Sequence, residues 1–362
     1  MAWSDLAPRP LAWAGNGQVS QAILFTRAVV FRNFAGFPFV VSAPPNACAA
    51  LADKALDLIA KQGGLEISRL TDLPLRAIRL LREREILPPR AVSFPGKKGF
   101  KYAAVAPDGV SWILVNEVEH LAFGRIIPGL PSPDAFAEME PSQVADRERA
   151  RWARSPAYGF LTSDPARIGS GLSVELIVHL PGLALSRQLP QARNYLAAAG
   201  AGFQTIAPLS GVAASGAPGA ADAGLFRLTG RGRLGKTARE AYNALLGTVE
   251  PLLRREQEAR NTVLEKHHKR LEERMQQSHR LLSGKGPLGY ADMLAAASIL
   301  RLGAGLGMLN PQIAGILEEL RVRTASGHLA VSSGQELSQE EEDIVRSNVV
   351  RSYLDERNGE IH

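Results

Sequence analysis

Residues 22–39 read Ala22-Ile-Leu-Phe-Thr-Arg-Ala-Val-Val-Phe-Arg-Asn-Phe-Ala-Gly-Phe-Pro-Phe39. The apolar runs at Ile23 to Phe25, Val29 to Phe31 and Phe37 to Phe39 are broken at Arg32-Asn33 and at Gly36, which predicts a strand pair lying on a core. Downstream, Leu51 to Lys61 and Leu73 to Arg84 repeat their apolar residues at helical spacing. Thr71-Asp72 is an N-cap candidate for the second helix, with Pro74 in its first turn. Lys101 to Val105, Trp112 to Val115 and Leu172 to Leu180 are further strand candidates, the first two joined through Pro107-Asp108-Gly109. Strands linked by such short turns point to an antiparallel α+β sheet and not to a doubly wound one.

The second half of the chain reads differently. Ser210 to Gly224 is mostly Gly and Ala, a composition that buries little and predicts a mobile loop. After a short strand candidate at Leu225 to Leu228, Thr237 to Leu282 carries one long helical pattern, with Leu264, Leu271, Met275 and Leu282 at heptad-like spacing. Apolar helices follow at Tyr290 to Leu302 and Pro311 to Arg321, and Ser338 with Glu341 has the spacing of a capping box. The expected organisation is an N-terminal tail over 1–19, a catalytic-type domain over 20–255, and a linking helix with a small all-α domain over 256–362.

With 362 residues and 45% hydrophobic composition, the chain has enough apolar surface for two folded units. Its 42 Lys and Arg exceed its 36 Asp and Glu by only six, short of the charge density of a dedicated nucleic-acid binder. The single cysteine, Cys48, excludes an internal disulfide framework and any multi-thiolate zinc site. No window approaches the ~18 apolar residues of a membrane span. Met1 to Pro10 lacks the pattern of a signal peptide. The expected location is the cytoplasm, with no metal held by a dedicated ligand cluster.

Gly230-Arg-Gly-Arg-Leu-Gly-Lys-Thr237 satisfies the phosphate-loop pattern G-x-x-x-x-G-K-T between a strand and a helix. Such a loop opens a parallel sheet whose later strands bring the Mg²⁺-binding Asp, whereas everything after Thr237 reads as helix, so a basic Gly-rich turn is the preferred reading. His267 and His268 adjoin on a charged helix and cannot share an ion. His120 and His179, beside apolar runs, read as hydrogen-bonded structural histidines. Arg227, Arg231, Arg233, Lys236 and Arg239 form a basic cluster without interleaved aromatics, which reads as a solvated face and makes nucleic-acid binding a weak third reading.

Several ordered segments resemble one family. Thr26-Arg27 to Arg32-Asn33 with Gly36-Phe-Pro-Phe39, Val115-Asn-Glu-Val-Glu-His-Leu121, Tyr158-Gly-Phe-Leu-Thr162, and Gly169-Ser-Gly-Leu172 running into His179-Leu-Pro181 are similar to the ATP:guanido phosphotransferases, and among them to the bacterial protein-arginine kinases. Leu234-Gly-Lys236 falls where that family turns from its last strand into a helix, which accounts for the phosphate-loop string. The resemblance implies an α+β, phosphagen-kinase-type catalytic domain, an antiparallel sheet flanked by helices, and a small all-α C-terminal domain. It also implies ATP with Mg²⁺ as cofactors and transfer of the γ-phosphoryl group to a guanidinium nitrogen, a reaction carried by cationic grips and an orienting carboxylate.

The same resemblance locates the departures. Arg27 matches the first phosphate arginine, but Val29 stands at the second. Val118 replaces the catalytic glutamate, leaving Glu117 as a doubtful substitute and His120 as a residual nucleotide contact. Ala122 and Ser173 stand at arginine positions, Asp164 at the reactive cysteine, and Val212 and Ala217 at the Arg and Glu of a further loop. Each charge-assisted hydrogen bond contributes roughly 1.5 to 3 kcal/mol, and a positioned carboxylate about 10² to 10⁴ in rate. In the C-terminal domain, where the family carries an R-D-x-x-R-A phosphoarginine-docking motif, this chain reads Glu342-Asp343-Ile-Val-Arg346-Ser347, keeping Asp343 and Arg346. The expectation is a catalytically inactive relative with a regulatory or protein-interaction role, acting as a homo- or hetero-dimer. Its expected partner is an active paralogue or a quality-control chaperone or protease. The alternative is an active guanidinium phosphotransferase with a site rebuilt around Arg27, Glu117, His120 and the basic cluster.

Overall fold

The computed structural model describes residues 3–14, 22–88, 98–132, 135, 152–206, 224–230 and 237–357. The central strand, β1 (Ile23–Arg32), is buried along its whole length. It ends at Arg32, where the first expected break falls, but the expected second strand is absent: Phe34 makes only an isolated bridge to Trp152, and residues 35–39 form no strand. A strand covered on both faces reads as a near-continuous apolar run, which hides its alternation.

Around it lie β2 (Glu66–Arg69), β3 (Tyr102–Val105), β4 (Ser111–Val115), β5 (Leu121–Pro128), β8 (Leu172–His179), β9 (Gly202–Thr205) and β10 (Leu225–Gly230). Their order is β2-β3-β4-β5-β1-β8-β10-β9, with every pairing antiparallel. The short strands β6 (Arg154–Ser155) and β7 (Gly159–Phe160) form a separate ribbon. The antiparallel α+β expectation holds, and an antiparallel sheet cannot serve a phosphate-loop fold. Thr237, the last residue of that string, instead makes a capping box with Glu240.

Helix α1 (Pro45–Gln62) covers Ile113, Val115 and Leu121 through Leu51, Ala55 and Ile59. Helices α3 (Pro181–Leu185), α4 (Leu189–Ala198) and the first half of α5 (Ala238–Leu282) cover one face of β1, β8 and β10, burying Val30, Leu176 and Leu228. Helix α5 departs from helical geometry at His267, where φ is −133° and ψ is 25°, so the expected single helix is two joined at a kink. Beyond it come α6 (Tyr290–Gly305), α7 (Ile313–Arg323), α8 (Ser326–Ser332) and α9 (Gln339–Asp355). The expected capping box of Ser338 with Glu341 opens α9.

The opposite sheet face is covered by α2 (Leu75–Glu83), by the N-terminal segment and by the C-terminal helices, all within one apolar cluster. Helix α2 takes Pro74 as its N-cap, and Thr71 and Asp72 belong to a preceding 3-10 turn. In the segment expected as a tail, Leu6, Leu11 and Trp13 are buried, and the Trp13 ring lies 5.7 Å from Phe25. No described helix is long and apolar enough to cross a membrane.

Candidate functional site

Antiparallel register decides which side chains share a face. Residues paired across neighbouring strands point the same way, so the pairings Arg27 with Glu175, Val29 with Ser173, Val29 with Gly124 and Phe31 with Ala122 put these residues on one sheet face. Arg227 of β10, paired with Ile177, joins them. The structure therefore brings together Arg27, Val29, Ala122 and Ser173, four positions assigned to phosphate arginines. Only Arg27 is a cation.

The turn into β8 explains the Gly169-Ser-Gly171 string. Gly171 has φ +66°, and a Cβ there would lie 2.6 Å from the Phe31 carbonyl oxygen. Only glycine lets this turn approach β1 closely enough for the Phe31 N–H to donate to the Gly171 carbonyl at 2.8 Å. On β5, the Trp112 ring lies across Gly124, where a Cβ would come within 2.1 Å of it. Trp112 thus fills the face beside Val29, and the Arg27 guanidinium stands 5.3 Å from its ring.

Arg27 is buried and its donors are directed at protein. Its Nε donates to the Glu85 carbonyl at 2.7 Å, and its Nη1 donates to Glu175 at 3.4 Å. Arg227 lies between Glu85, at 2.6 Å, and Glu175. Burial disfavours the Arg227 charge, but the two carboxylates more than offset it and hold the guanidinium above its ordinary range. Burial also disfavours the Glu175 charge, and Arg27 with Arg227 reverse that effect and hold its carboxyl below the usual range. Arg227 is therefore not part of a solvated basic face. Arg231, Arg233 and Lys236 lie outside the described residues, as do the Gly/Ala segment at 210–223 and Val212 and Ala217 within it.

Residues 116–120 form the turn between β4 and β5, with Asn116 left-handed at φ 54°. Strand alternation does not apply there. Glu119 accepts from Asn33 Nδ2 at 2.7 Å and from Ser163 Oγ at 2.7 Å, tying the turn to neighbouring loops. Glu117 is buried; loss of solvation pushes its carboxyl up, opposed by Lys101, Arg167 and Arg27. Val118, at the base position, is half-buried.

Both His120 ring nitrogens are engaged by backbone, Nδ1 accepting from Phe34 N–H and Nε2 donating to the Pro38 carbonyl, each at 2.9 Å. Burial lowers its pKa, which keeps the imidazole neutral. Asp164 caps the 3-10 turn at Pro165–Arg167 by accepting from Ala166 N–H at 3.0 Å. His179 is likewise buried, with Nε2 at 2.8 Å from Ser298 Oγ.

In the C-terminal domain, Arg346 is fully buried. It donates to the Thr324 and Leu288 carbonyls at 2.9 and 2.8 Å, to Asp343 at 2.5 Å and to Glu342 at 3.3 Å. Asp343 and Arg346 are together, but as a pair that fastens α9 to the domain. No local signal marks Glu85 or Arg227 as neighbours of Arg27, since 58 and 142 residues separate Arg27 from Glu85 and Glu85 from Arg227.

Among the described residues, those of this face lack the set of cations that a nucleoside triphosphate with Mg²⁺ would need. Among the described residues of this face, a valine, an alanine and a serine stand where cations would be needed, Arg27 and Arg227 are neutralised by carboxylates, and Arg167, 4.3 Å from the Phe31 ring, is paired with Asp164. No group of three or more His, Cys, Asp or Glu among the described residues could hold a metal ion.

The profile of the ATP:guanido phosphotransferase C-terminal catalytic domain matches residues 49–259, and that of the protein-arginine kinase McsB C-terminal domain matches 268–361. The protein-arginine kinase of Halothermothrix orenii is 25% identical over 358 residues, covering 98% of this chain and 99% of its own. That of Desulforamulus reducens is 27% identical over 352 residues, covering 95% of each. Among solved structures, a lombricine kinase superposes with a TM-score of 0.52 at 15% identity, covering 69% of this chain and 70% of its own. The duplicated taurocyamine kinase of Schistosoma mansoni gives 0.53 at 16% identity, covering 68% of this chain and 36% of its own. The shared sheet and the two consecutive domain matches lead to one conclusion: the chain belongs to the ATP:guanido phosphotransferase family, in its protein-arginine kinase branch.

Proposed function

We infer that this chain is a non-catalytic member of that branch which acts through protein contacts. The observation that carries the reading is the convergence of Val29, Ala122 and Ser173 on the face that also holds Arg27. Phosphoryl transfer depends on preorganised positive charge around the moving group, and three of the four converging positions lack it. The carboxylate position is Val118. A fold kept without its charges fits a regulatory subunit, a homodimer or a heterodimer with an active paralogue, or an adaptor for quality-control chaperones or proteases. Its expected place is the cytoplasm.

Mg-ATP thermal shift tests the reading, because a ligand raises stability only by binding the native state. The transition should stay in place at Mg-ATP concentrations that shift an active relative. A saturable upward shift contradicts the reading. Recovery of a paralogue, chaperone or protease component from the native host by affinity capture tests the partner class; its failure removes that class.

One observation favours a second reading, an active guanidinium phosphotransferase with a rebuilt site. Glu117 is a buried carboxylate on the Arg27 side of the turn, with its pKa pushed up as a general base requires. Under that reading Glu117→Gln abolishes a measurable turnover. Under the first there is no turnover to abolish.

A further inference from the structure

Glu83, Arg84 and Glu85 follow one another at the end of α2, and each grips a different part of the molecule. Glu83 accepts from the Gly327 and His328 amides at 2.6 and 2.9 Å and from His328 Nδ1 at 2.7 Å, fastening α8. Arg84 donates to His328 Nε2 at 3.2 Å and to the Arg9 carbonyl at 2.6 Å, holding the N-terminal segment. Glu85 then turns to the sheet. Its backbone is left-handed at φ 59°, a conformation that a non-glycine residue keeps only where the surroundings impose it. That conformation aims its carbonyl at Arg27 and its carboxylate at Arg227.

The four paired groups, the guanidiniums of Arg27 and Arg227 and the carboxylates of Glu85 and Glu175, sum to zero charge, and Arg167 adds a further positive charge near Glu175. Arg27 occupies the position matched to a phosphate grip, and the negative charge beside it comes from the chain itself. The cluster is not sealed. The Arg227 and Glu175 side chains keep 15% and 19% of their exposure, so water touches it on one side.

We propose that the Glu85 turn is an internal stopper: its carboxylate and carbonyl occupy a latent polyphosphate-anion site formed by Arg27 and Arg227, and exclude such anions from it. The proposal rests on the non-catalytic reading and deepens it, because the site is then blocked as well as depleted of cations. An entering phosphate must break the Arg227–Glu85 pair and be placed beside two carboxylates, and like charges at such range repel strongly where water is scarce. Removing the carboxylate charges leaves two cations with backbone acceptors, an arrangement that accepts a multivalent anion.

The test is isothermal titration of the full chain with inorganic tripolyphosphate. Glu85→Gln/Glu175→Gln removes the internal charges, and Glu336→Gln, which removes an exposed carboxylate paired with Arg79, is the control. Wild type and control should show no saturable binding. The double variant should bind at least about tenfold more tightly than wild type, the gain falling at high salt and vanishing on adding Arg27→Gln. If far-UV circular dichroism shows that the double variant is unfolded, Glu85→Gln alone carries the same criterion. Binding by wild type equal to that of the variant, or a folded variant that gains nothing, overturns the stopper. Neither result bears on turnover by the wild-type chain, so the stopper and the non-catalytic reading fail separately.

Discussion

Val29 and Ser173 lie directly across from each other in the β1–β8 ladder, on the sheet face that also carries Arg27. Two positions that the family fills with arginine are thus neighbours, and neither retains a charge. Replacing one charge in isolation does not rebuild the site, because the surroundings have adapted to its loss: Val29 is 2% exposed and Trp112 covers the space at Gly124. Val29→Arg should therefore lower unfolding stability by about 3 kcal/mol, the order expected for an unpaired buried charge. Urea denaturation with and without Mg-ATP checks this, with the two curves expected to coincide.

Arg346 serves the fold in the same way. Arg346→Ala leaves Glu342, Asp343 and two carbonyls without their donor, and should cost about 3–5 kcal/mol. Because the guanidinium is already committed, titration of the wild-type chain with free phosphoarginine should show no saturable heat.

The N-terminal segment should behave as part of the core. Trp13 is 2% exposed and packs on Phe25, so Trp13→Ala should cost about 3–5 kcal/mol. Chemical denaturation measures this directly; a change near zero would show the segment to be dispensable.

Acidification should weaken the fold through its buried histidines. Burial lowers the pKa of His179 and His328, with further lowering of His179 by Arg260 and Arg301. Below the ordinary histidine value near 6.5 the unfolded chain takes up protons that the folded chain refuses, so stability falls as pH drops. Each such histidine contributes a slope of up to about 1.4 kcal/mol per pH unit between its unfolded and folded values. The raised pKa values of Glu117 and Glu256 act in the opposite sense nearer the carboxylate range. His179→Gln should reduce the slope just below pH ~6.5, as read from denaturant midpoints across that range.

Much of the fold was legible because local signals sufficed. The capping box at Ser338, the periodicity of α1 and the turn at Asp108 depend on residues a few positions apart. The convergence of Arg27, Val29, Ala122 and Ser173 could be anticipated only by matching segments to a family, since register across strands is not written in any single segment. What was not legible depends on distant partners. Arg227 reads as one member of a basic run until Glu85 and Glu175 are placed beside it. Arg27 reads as a phosphate grip until the Glu85 carbonyl and the Glu175 carboxylate engage it. The strand candidate ends at Val115, and where Glu117 and Glu119 point is set by the left-handed turn at Asn116.

The central claim is that this chain does not transfer phosphate to arginine. Incubation of the purified protein with γ-labelled Mg-ATP and an arginine-rich protein substrate, followed by quantification of acid-labile phosphoarginine, tests it most directly. Product should be no greater than in the protein-free control at every protein concentration. Phosphoarginine that increases in proportion to the protein added, and is lost in Glu117→Gln, would contradict it.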